Sequence, residues 1–327
     1  MKRLLLTILV VAIADALPKN VSAHNLHVPY RYSAGIFKPV ADCKQCIVLC
    51  EQSQNRILIL DIPSREIIWE WKAKNSNVAP EHISWFDFPD EAKPVYKNNY
   101  ILITASGGGV ALVRIADKKT IFYAHAGGNP HSAEILPDGN IVCASSTGNY
   151  LTLFKVDTLD SPVNIFSKSY PIVDGHNVVW DKKRQVLWAG SGKQLQAFSY
   201  NFNCEQPDLE LSDSVSLPGN LHDLFPVYKE DALWLTTRTN VFKFSLDTKQ
   251  FEPASVTVPA NVKSVSSGPA GFPMIIIRPK EEWWTDTILS SQGEIMFIQE
   301  GLKIYKARWL LENVFGYPSD QRIKICH

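Results

Sequence analysis

Four histidines stand at the head of similar segments: His82-Ile-Ser-Trp, His131-Ser-Ala-Glu, His176-Asn-Val-Val and His222-Asp-Leu-Phe. They recur at intervals of 49, 45 and 46 residues (82 to 131, 131 to 176, 176 to 222). Imidazoles gathered at one point can hold a metal, move a proton or line an anion site. Lys263 opens a fifth such segment, and Arg308 falls at a matching level near the far end of the chain. Six groups able to carry positive charge would then share one funnel. Crowding and burial lower the pKa of such groups unless something compensates. An anionic ligand such as a carboxylate would do so, as would a divalent metal on neutral imidazoles. Nearby carboxylates are the third means, with Asp87, Glu134, Asp223 and Asp286 as candidates. The competing reading makes each histidine structural, its ring nitrogens bonded to backbone carbonyls of a neighbouring repeat.

The elements that would position these residues follow from the same period. Repeats of this length, filled with short strand-like runs, are the signature of a β-propeller, each repeat forming one four-stranded blade. The third repeat is the most legible. His131 to Leu136 alternates, Pro137-Asp138-Gly139-Asn140 turns the chain, Ile141 to Ser145 suits a buried strand, and Tyr150 to Val156 follows. An outer strand is expected near Asn164 to Lys168. The fourth and fifth repeats copy this from His176 and His222, with outer strands expected near Asp213 and Ala254. In the second repeat His82 to Phe86 reads as the inner strand, and the Pro-bearing stretch from Asp87 to Asn99 reads as a loop. A sixth starts around Val262-Lys263.

The N-terminal repeat has three strands, beginning at Cys46, Arg56 and Glu66. Lys303 to Trp309 is expected to supply its fourth, closing the ring and covering two strand edges. The expectation is an all-β, six-bladed propeller with a shared closing blade.

Residues 1–23 read as a secretory signal peptide: Lys2-Arg3, an apolar run from Leu4 to Ala14, then small residues at Val21-Ser22-Ala23. Residues 24–327 would form the single propeller domain, secreted or periplasmic and monomeric. The apolar run is shorter than the ~20 residues needed to span a membrane. Lys plus Arg and Asp plus Glu number 33 each, so the basic excess of a nucleic-acid binder is missing. No phosphate-loop, dinucleotide, Ser-elbow or His-Glu-x-x-His motif is present.

Cys50 and Cys143 lie in apolar runs and are expected as buried free thiols. Cys43-Lys-Gln-Cys46 has the spacing of a redox pair or half a zinc site, but lacks the helix start of the first and the second close pair of the second. A local disulfide is expected, or a bridge from either cysteine to Cys204 or Cys326. Trp180, Trp188 and Trp234 are expected between blades. Trp85, Trp283 and Trp284 are candidates for stacking platforms at a channel mouth, and Gly107-Gly-Gly109 for a tight turn.

The strings His131-Ser-Ala-Glu-Ile-Leu-Pro-Asp-Gly, Gly175-His176-Asn-Val-Val-Trp, His222-Asp-Leu-Phe-Pro-Val and Trp283-Trp-Thr-Asp286 resemble an uncharacterised family of exported bacterial six-bladed propellers. The resemblance spans roughly Cys46 to Trp309 and implies fold and export without an established activity. A looser, fold-level likeness is to oligogalacturonate lyases, which hold a metal through histidines and a glutamine.

These observations support a site in the funnel that binds or processes an anionic carbohydrate fragment such as a uronate. His131, His176 and His222 would be its catalytic candidates, one acting as general base. His82, Lys263, Arg308, Asp223, Glu134 and Trp284 would bind the ligand, with a divalent metal left open. Activity, if present, would be that of a lyase or hydrolase. The alternative is a non-catalytic glycan- or protein-binding propeller with structural histidines.

Overall fold

A computed structural model describes residues 40–156, 162, 165–312 and 323–325. The segment read as a signal peptide and Cys326 lie outside these residues. Six four-stranded antiparallel sheets account for the described strands. The first combines β1 (Cys46–Glu51), β2 (Arg56–Asp61) and β3 (Glu66–Trp71) with the last strand of the chain, β24 (Ile304–Trp309). The register pairs Ile47 with Trp309 and Leu49 with Ala307, so the closing strand is the one expected from sequence. The second blade is β4 (Pro89–Val95), β5 (Tyr100–Ala105), β6 (Gly109–Arg114) and β7 (Thr120–His125). The third is β8 (Pro130–Ile135), β9 (Ile141–Ser145), β10 (Tyr150–Phe154) and β11 (Ser167–Pro171). The fourth is β12 (Gly175–Asp181), β13 (Val186–Ser191), β14 (Gln194–Tyr200) and β15 (Leu209–Ser216). The fifth is β16 (Leu221–Pro226), β17 (Ala232–Thr237), β18 (Val241–Ser245) and β19 (Phe251–Pro253). The sixth is β20 (Ser264–Ser266), β21 (Ile275–Ile277), β22 (Thr287–Ser290) and β23 (Ile295–Ile298). The chain is a six-bladed β-propeller.

Each blade buries both faces against its neighbours, which is why its middle strands, such as β1, β2 and β5, read as near-continuous apolar runs rather than alternating ones. Ile57 to Leu60 are fully buried on β2. Aromatic side chains fill the wedges between blades. Trp69 donates its indole N–H to Ile115 O of the second blade, and Trp188 packs edge-on against Phe244 of the fifth. Trp180 is buried against Tyr200, and Trp234 reaches Ser267 Oγ.

The second repeat departs from its sequence reading. Pro80–Phe86, with Pro80 at the first helical position, is a 3-10 helix that carries His82. The inner strand is β4, within the stretch read as a loop because of its prolines. An inner strand has a ladder partner on one side only, and its other edge lines the channel. A proline without an N–H is tolerated on such an edge, and Pro89, Pro94, Pro130 and Pro226 all occupy one. The 3-10 helix lies so close to the β5–β6 turn that a Cβ on Gly107 would stand 2.2 Å from Ser84 O. The outer strands of the third and fifth blades are also displaced from their expected positions, to Ser167–Pro171 and Phe251–Pro253. Their burial pattern is largely exposed or intermediate, so hydrophobic pattern marks them weakly.

Cys43 and Cys46 form a local disulfide, Cys204 is also disulfide-bonded, and Cys50 and Cys143 are buried free thiols. No helix among the described residues is long and apolar enough to cross a membrane.

Candidate functional site

The inner strands share an irregularity that builds the site. On β8, Pro130 pairs with Ser145 and Ser132 with Ala144, so His131 is a bulged residue with no partner of its own. The same one-residue shift isolates His176 on β12 and His222 on β16. On β4 it isolates Asp90. A bulge re-aims the side chain it frees. Repeated near the start of β4, β8, β12 and β16, it turns one residue of each of these blades toward the channel mouth. Lys263 precedes β20 and bonds its N–H to Ile277 O, and β24 has its irregularity next to Tyr305. The backbone two residues upstream is left-handed at Phe88, Asn129, Asp174 and Asn261. The ring is therefore Asp90, His131, His176, His222, Lys263 and Tyr305.

These side chains meet. The rings of His131 and His176 stand 4.7 Å apart, and those of His176 and His222 stand 5.6 Å apart. Lys263 Nζ lies 3.4 Å from His222 Nε2 and 5.8 Å from the Tyr305 ring, which in turn contacts His131 at 6.0 Å. Asp90 accepts a 2.7 Å hydrogen bond from Ser106 Oγ. His131 and His176 are nearly buried, whereas His222 and Lys263 are half-buried.

Hydrogen bonding fixes the tautomers. His131 Nδ1 lies 3.1 Å from Asn129 O, and His176 Nδ1 lies 3.0 Å from Asp174 O. A carbonyl only accepts, so each Nδ1 carries a proton, and His176 Nδ1 also lies 3.2 Å from Asp174 Oδ1. The carbonyls belong to the histidine's own blade, not to a neighbouring one. Asn220, upstream of His222, lacks the left-handed backbone, and His222 Nδ1 is buried without a partner.

Burial, with the neighbouring His176 and Lys306, holds the His131 pKa well below the usual imidazole value. His222 falls to about 3 through burial, then Lys263 and His176. Burial, Lys306 and Arg238 lower Lys263 to about 8, against a smaller opposing effect of Asp90. Asp90 rises to about 8, because burial outweighs its Ser106 bond and Lys306. At neutral pH the mouth thus holds the uncharged imidazoles of His131 and His222, a protonated Asp90 carboxyl and the Lys263 ammonium.

Below the ring the channel is filled by ion pairs. Arg308 grips two carboxylates in forked fashion: Nε and Nη2 bond Glu91 at 3.0 and 2.9 Å, and Nη1 and Nη2 bond Asp223 at 2.8 and 2.6 Å. Lys306 Nζ bridges the same two at 3.2 and 3.4 Å. Deeper still, Lys93 pairs with Glu134 at 3.4 Å and donates to Val178 O at 2.6 Å. Burial alone would raise Glu91, but Arg308 and Lys306 pull it down to about 2. Burial raises Glu134 to about 7 despite Lys93. This layer sets three basic side chains against three carboxyl groups, all buried, beneath the mouth.

His131, His176, His222 and Lys263 therefore come together, and Asp223 lies just below them. His82 does not join them. It stacks on Trp85 at 3.8 Å and reaches Tyr123 Oη at 3.3 Å, within an aromatic cluster on the second blade that includes His125. Asp90 occupies its expected place. Arg308 sits three residues beyond Tyr305 and is consumed by carboxylates. Glu134 faces Lys93 rather than the mouth. Trp284 is covered by Lys303 Nζ at 4.6 Å, and Asp286 pairs with Lys280. Asp87 accepts from Asn55. Trp283, by contrast, is 46% exposed, with its indole N–H fixed on Gln52 Oε1 and Gln52 in turn bonded to Pro89 O. It forms an aromatic platform on the rim beside β4. Sequence reading missed Asp90 because an acid replaces the repeated histidine, and missed Tyr305 because a phenol broke the expected pattern.

Among the described residues, the trio of potential metal ligands close enough to share an ion is Cys43, Cys46 and Asp61, and its cysteines are joined to each other. The ring imidazoles are not gathered in that way. At the opposite end of the channel a shallow hollow is lined by Pro94, Phe225, Pro226, Tyr228 and Trp309, without a titratable cluster.

The fold is similar to that of a protein of unknown function from Bacteroides caccae, at 15% identity over 81% of this chain and 98% of that one, with a TM-score of 0.57. It is also similar to the β-propeller domain of Myceliophteria thermophila Cps50 (Swd1), at 14% identity over 78% of this chain and 86% of that one, with a TM-score of 0.51. Identities this low establish a common fold and carry no activity across. No curated protein matches the chain. Residues 32–326 match the family DUF6528, whose function is unknown, and the chain with its bulge-built channel mouth belongs to that family.

Proposed function

We propose that the channel mouth binds a small anionic ligand, an anionic carbohydrate fragment such as a uronate being the class that suits it. The observation that carries this is Lys263. Lys93, Lys306 and Arg308 each have a carboxylate in salt-bridge contact, and Lys263, largely removed from water, has none within 4.0 Å among the described residues. A half-buried ammonium facing the neutral His222 imidazole is stabilised by a ligand carboxylate. Exposed Arg238 adds positive potential beside Lys263.

The carbohydrate assignment draws on the rest of the mouth. Nε2 of the neutral His131 ring is an acceptor suited to a sugar hydroxyl, and Trp283 is a stacking face at the rim. His131, His176 and His222 remain the candidates for moving a proton in a reaction on that ligand. The charge-balanced plug limits access to the mouth side. An exported protein, as its N-terminal segment reads, would meet such fragments outside the cytoplasm.

Calorimetric titration with D-glucuronate and with D-glucose tests the reading. The uronate is expected to bind at least tenfold more tightly than the neutral sugar. Equal affinities, or no heat with either, would overturn it.

A further inference from the structure

Away from the mouth, Cys43 and Cys46 bracket the entry to β1. The β1–β2 register pairs Cys46 with Asp61, the last residue of β2, and so brings a buried carboxylate beside the cysteine pair. Cys43 Sγ lies 3.5 Å from Asp61 Oδ1, while Ser64 Oγ donates to Asp61 Oδ2 at 2.8 Å. Sequence spacing shows the two thiols; only strand pairing shows the acid.

In the disulfide the Cys43 sulfur has no proton, so its contact with Oδ1 sets one acceptor against another. After reduction the Cys43 thiol can donate to that oxygen. Whatever else the carboxylate bonds, this contact improves on reduction. A disulfide whose reduced form is stabilised is readily reduced and oxidises other thiols. Its structural value is small, because a bridge between residues three apart removes little entropy from the unfolded chain. Access is asymmetric: Cys43 is half-buried and Cys46 is buried.

We propose that Cys43–Cys46 is a redox-active disulfide that takes two electrons from a partner dithiol, with Asp61 as the positioning residue that favours its reduced form. A thiolate of the partner attacks Cys43 Sγ. The Cys43–Cys46 bond breaks, and Cys46 leaves with the electron pair and takes a proton from solvent. The partner's second thiolate then attacks its own sulfur in the mixed disulfide, releasing Cys43, which takes a second proton and turns it toward Asp61. The partner dithiol ends as a disulfide, having given its two protons to solvent, and the protein ends with two thiols.

The test equilibrates the full chain in buffers of graded reduced-to-oxidised dithiothreitol ratio, without denaturant. Alkylation and peptide mass spectrometry then report each cysteine, while tryptophan fluorescence reports the fold. Cys43 and Cys46 are expected to be reduced at a ratio at least tenfold lower than the bridge of Cys204, with fluorescence unchanged. The folded Asp61→Asn variant is expected to need at least a threefold higher ratio than wild type. Reduction of both bridges together, unfolding on reduction of Cys43–Cys46, or an unchanged ratio in folded Asp61→Asn would overturn the proposal. If Asp61→Asn does not fold, the order of the two bridges in wild type decides.

Discussion

Lys263 Nζ stands 3.4 Å from His222 Nε2, and this contact joins a cation to a neutral imidazole rather than to a carboxylate. The lone pair on Nε2 accepts from the ammonium, which leaves the His222 proton on Nδ1, the atom with no partner. The two residues stand at equivalent ring positions on adjacent blades. A ligand carboxylate at this point would meet an ammonium that has no carboxylate within 4.0 Å among the described residues.

Binding there should fall steeply in alkali. Lys263 is lowered from 10.5 to about 8, so its positive charge is present below that pH and lost above it. Asp90 is raised to about 8 and gains negative charge over the same interval. Both changes oppose an anion. Uronate affinity is expected to drop at least tenfold between pH 7 and pH 9 in calorimetric titrations, with a shallower profile in Asp90→Asn. A flat profile in wild type would remove Lys263 and Asp90 from the binding reaction.

Asp90 also links stability to pH. Its folded pKa, about 8, exceeds the ordinary 3.8, so between those values the native state holds a proton that the unfolded chain releases. Stability contributed by this group is full below the lower value and is lost as pH rises toward the higher one. Asp90→Asn should therefore raise the thermal midpoint by a few degrees at pH 8 and change it little at pH 4. A variant that is equally destabilised at both pH values would contradict the burial of a protonated carboxyl.

The third and fourth inner strands were legible because turns follow them, Pro137-Asp138-Gly139-Asn140, in residues that preset turn dihedrals, being the clearest. The closing strand was legible because the first repeat lacked one. His82 was misplaced for a physical reason: Pro89 and Pro94 break a central strand, yet they sit on an edge that faces the channel and needs no donor. The ring position itself is a bulge, and a bulge shifts which side chain faces inward without leaving a mark in hydrophobic pattern. The ion pairs below the ring were hidden more deeply. Glu91 and Arg308 are 217 residues apart in sequence and meet only because the ring closes.

Those ion pairs should behave as a lock. Arg308→Met leaves Glu91 and Asp223 buried beside Lys306 alone, and truncating one partner of a buried pair costs about 3–5 kcal/mol. Urea unfolding should register a loss of that order. Arg114→Met, which removes a surface pair with Asp117, should change little. Similar small effects in both would mean that the plug does not hold the channel together.

The claim that Lys263 is the anion-binding residue is tested most directly by Lys263→Met, which keeps the side chain's length and removes its charge. The measurement is D-glucuronate affinity by calorimetry at pH 7, on protein shown by thermal melting to be folded. At least a tenfold loss relative to wild type is predicted. Unchanged affinity in the folded variant would contradict it and place the anion elsewhere on the propeller.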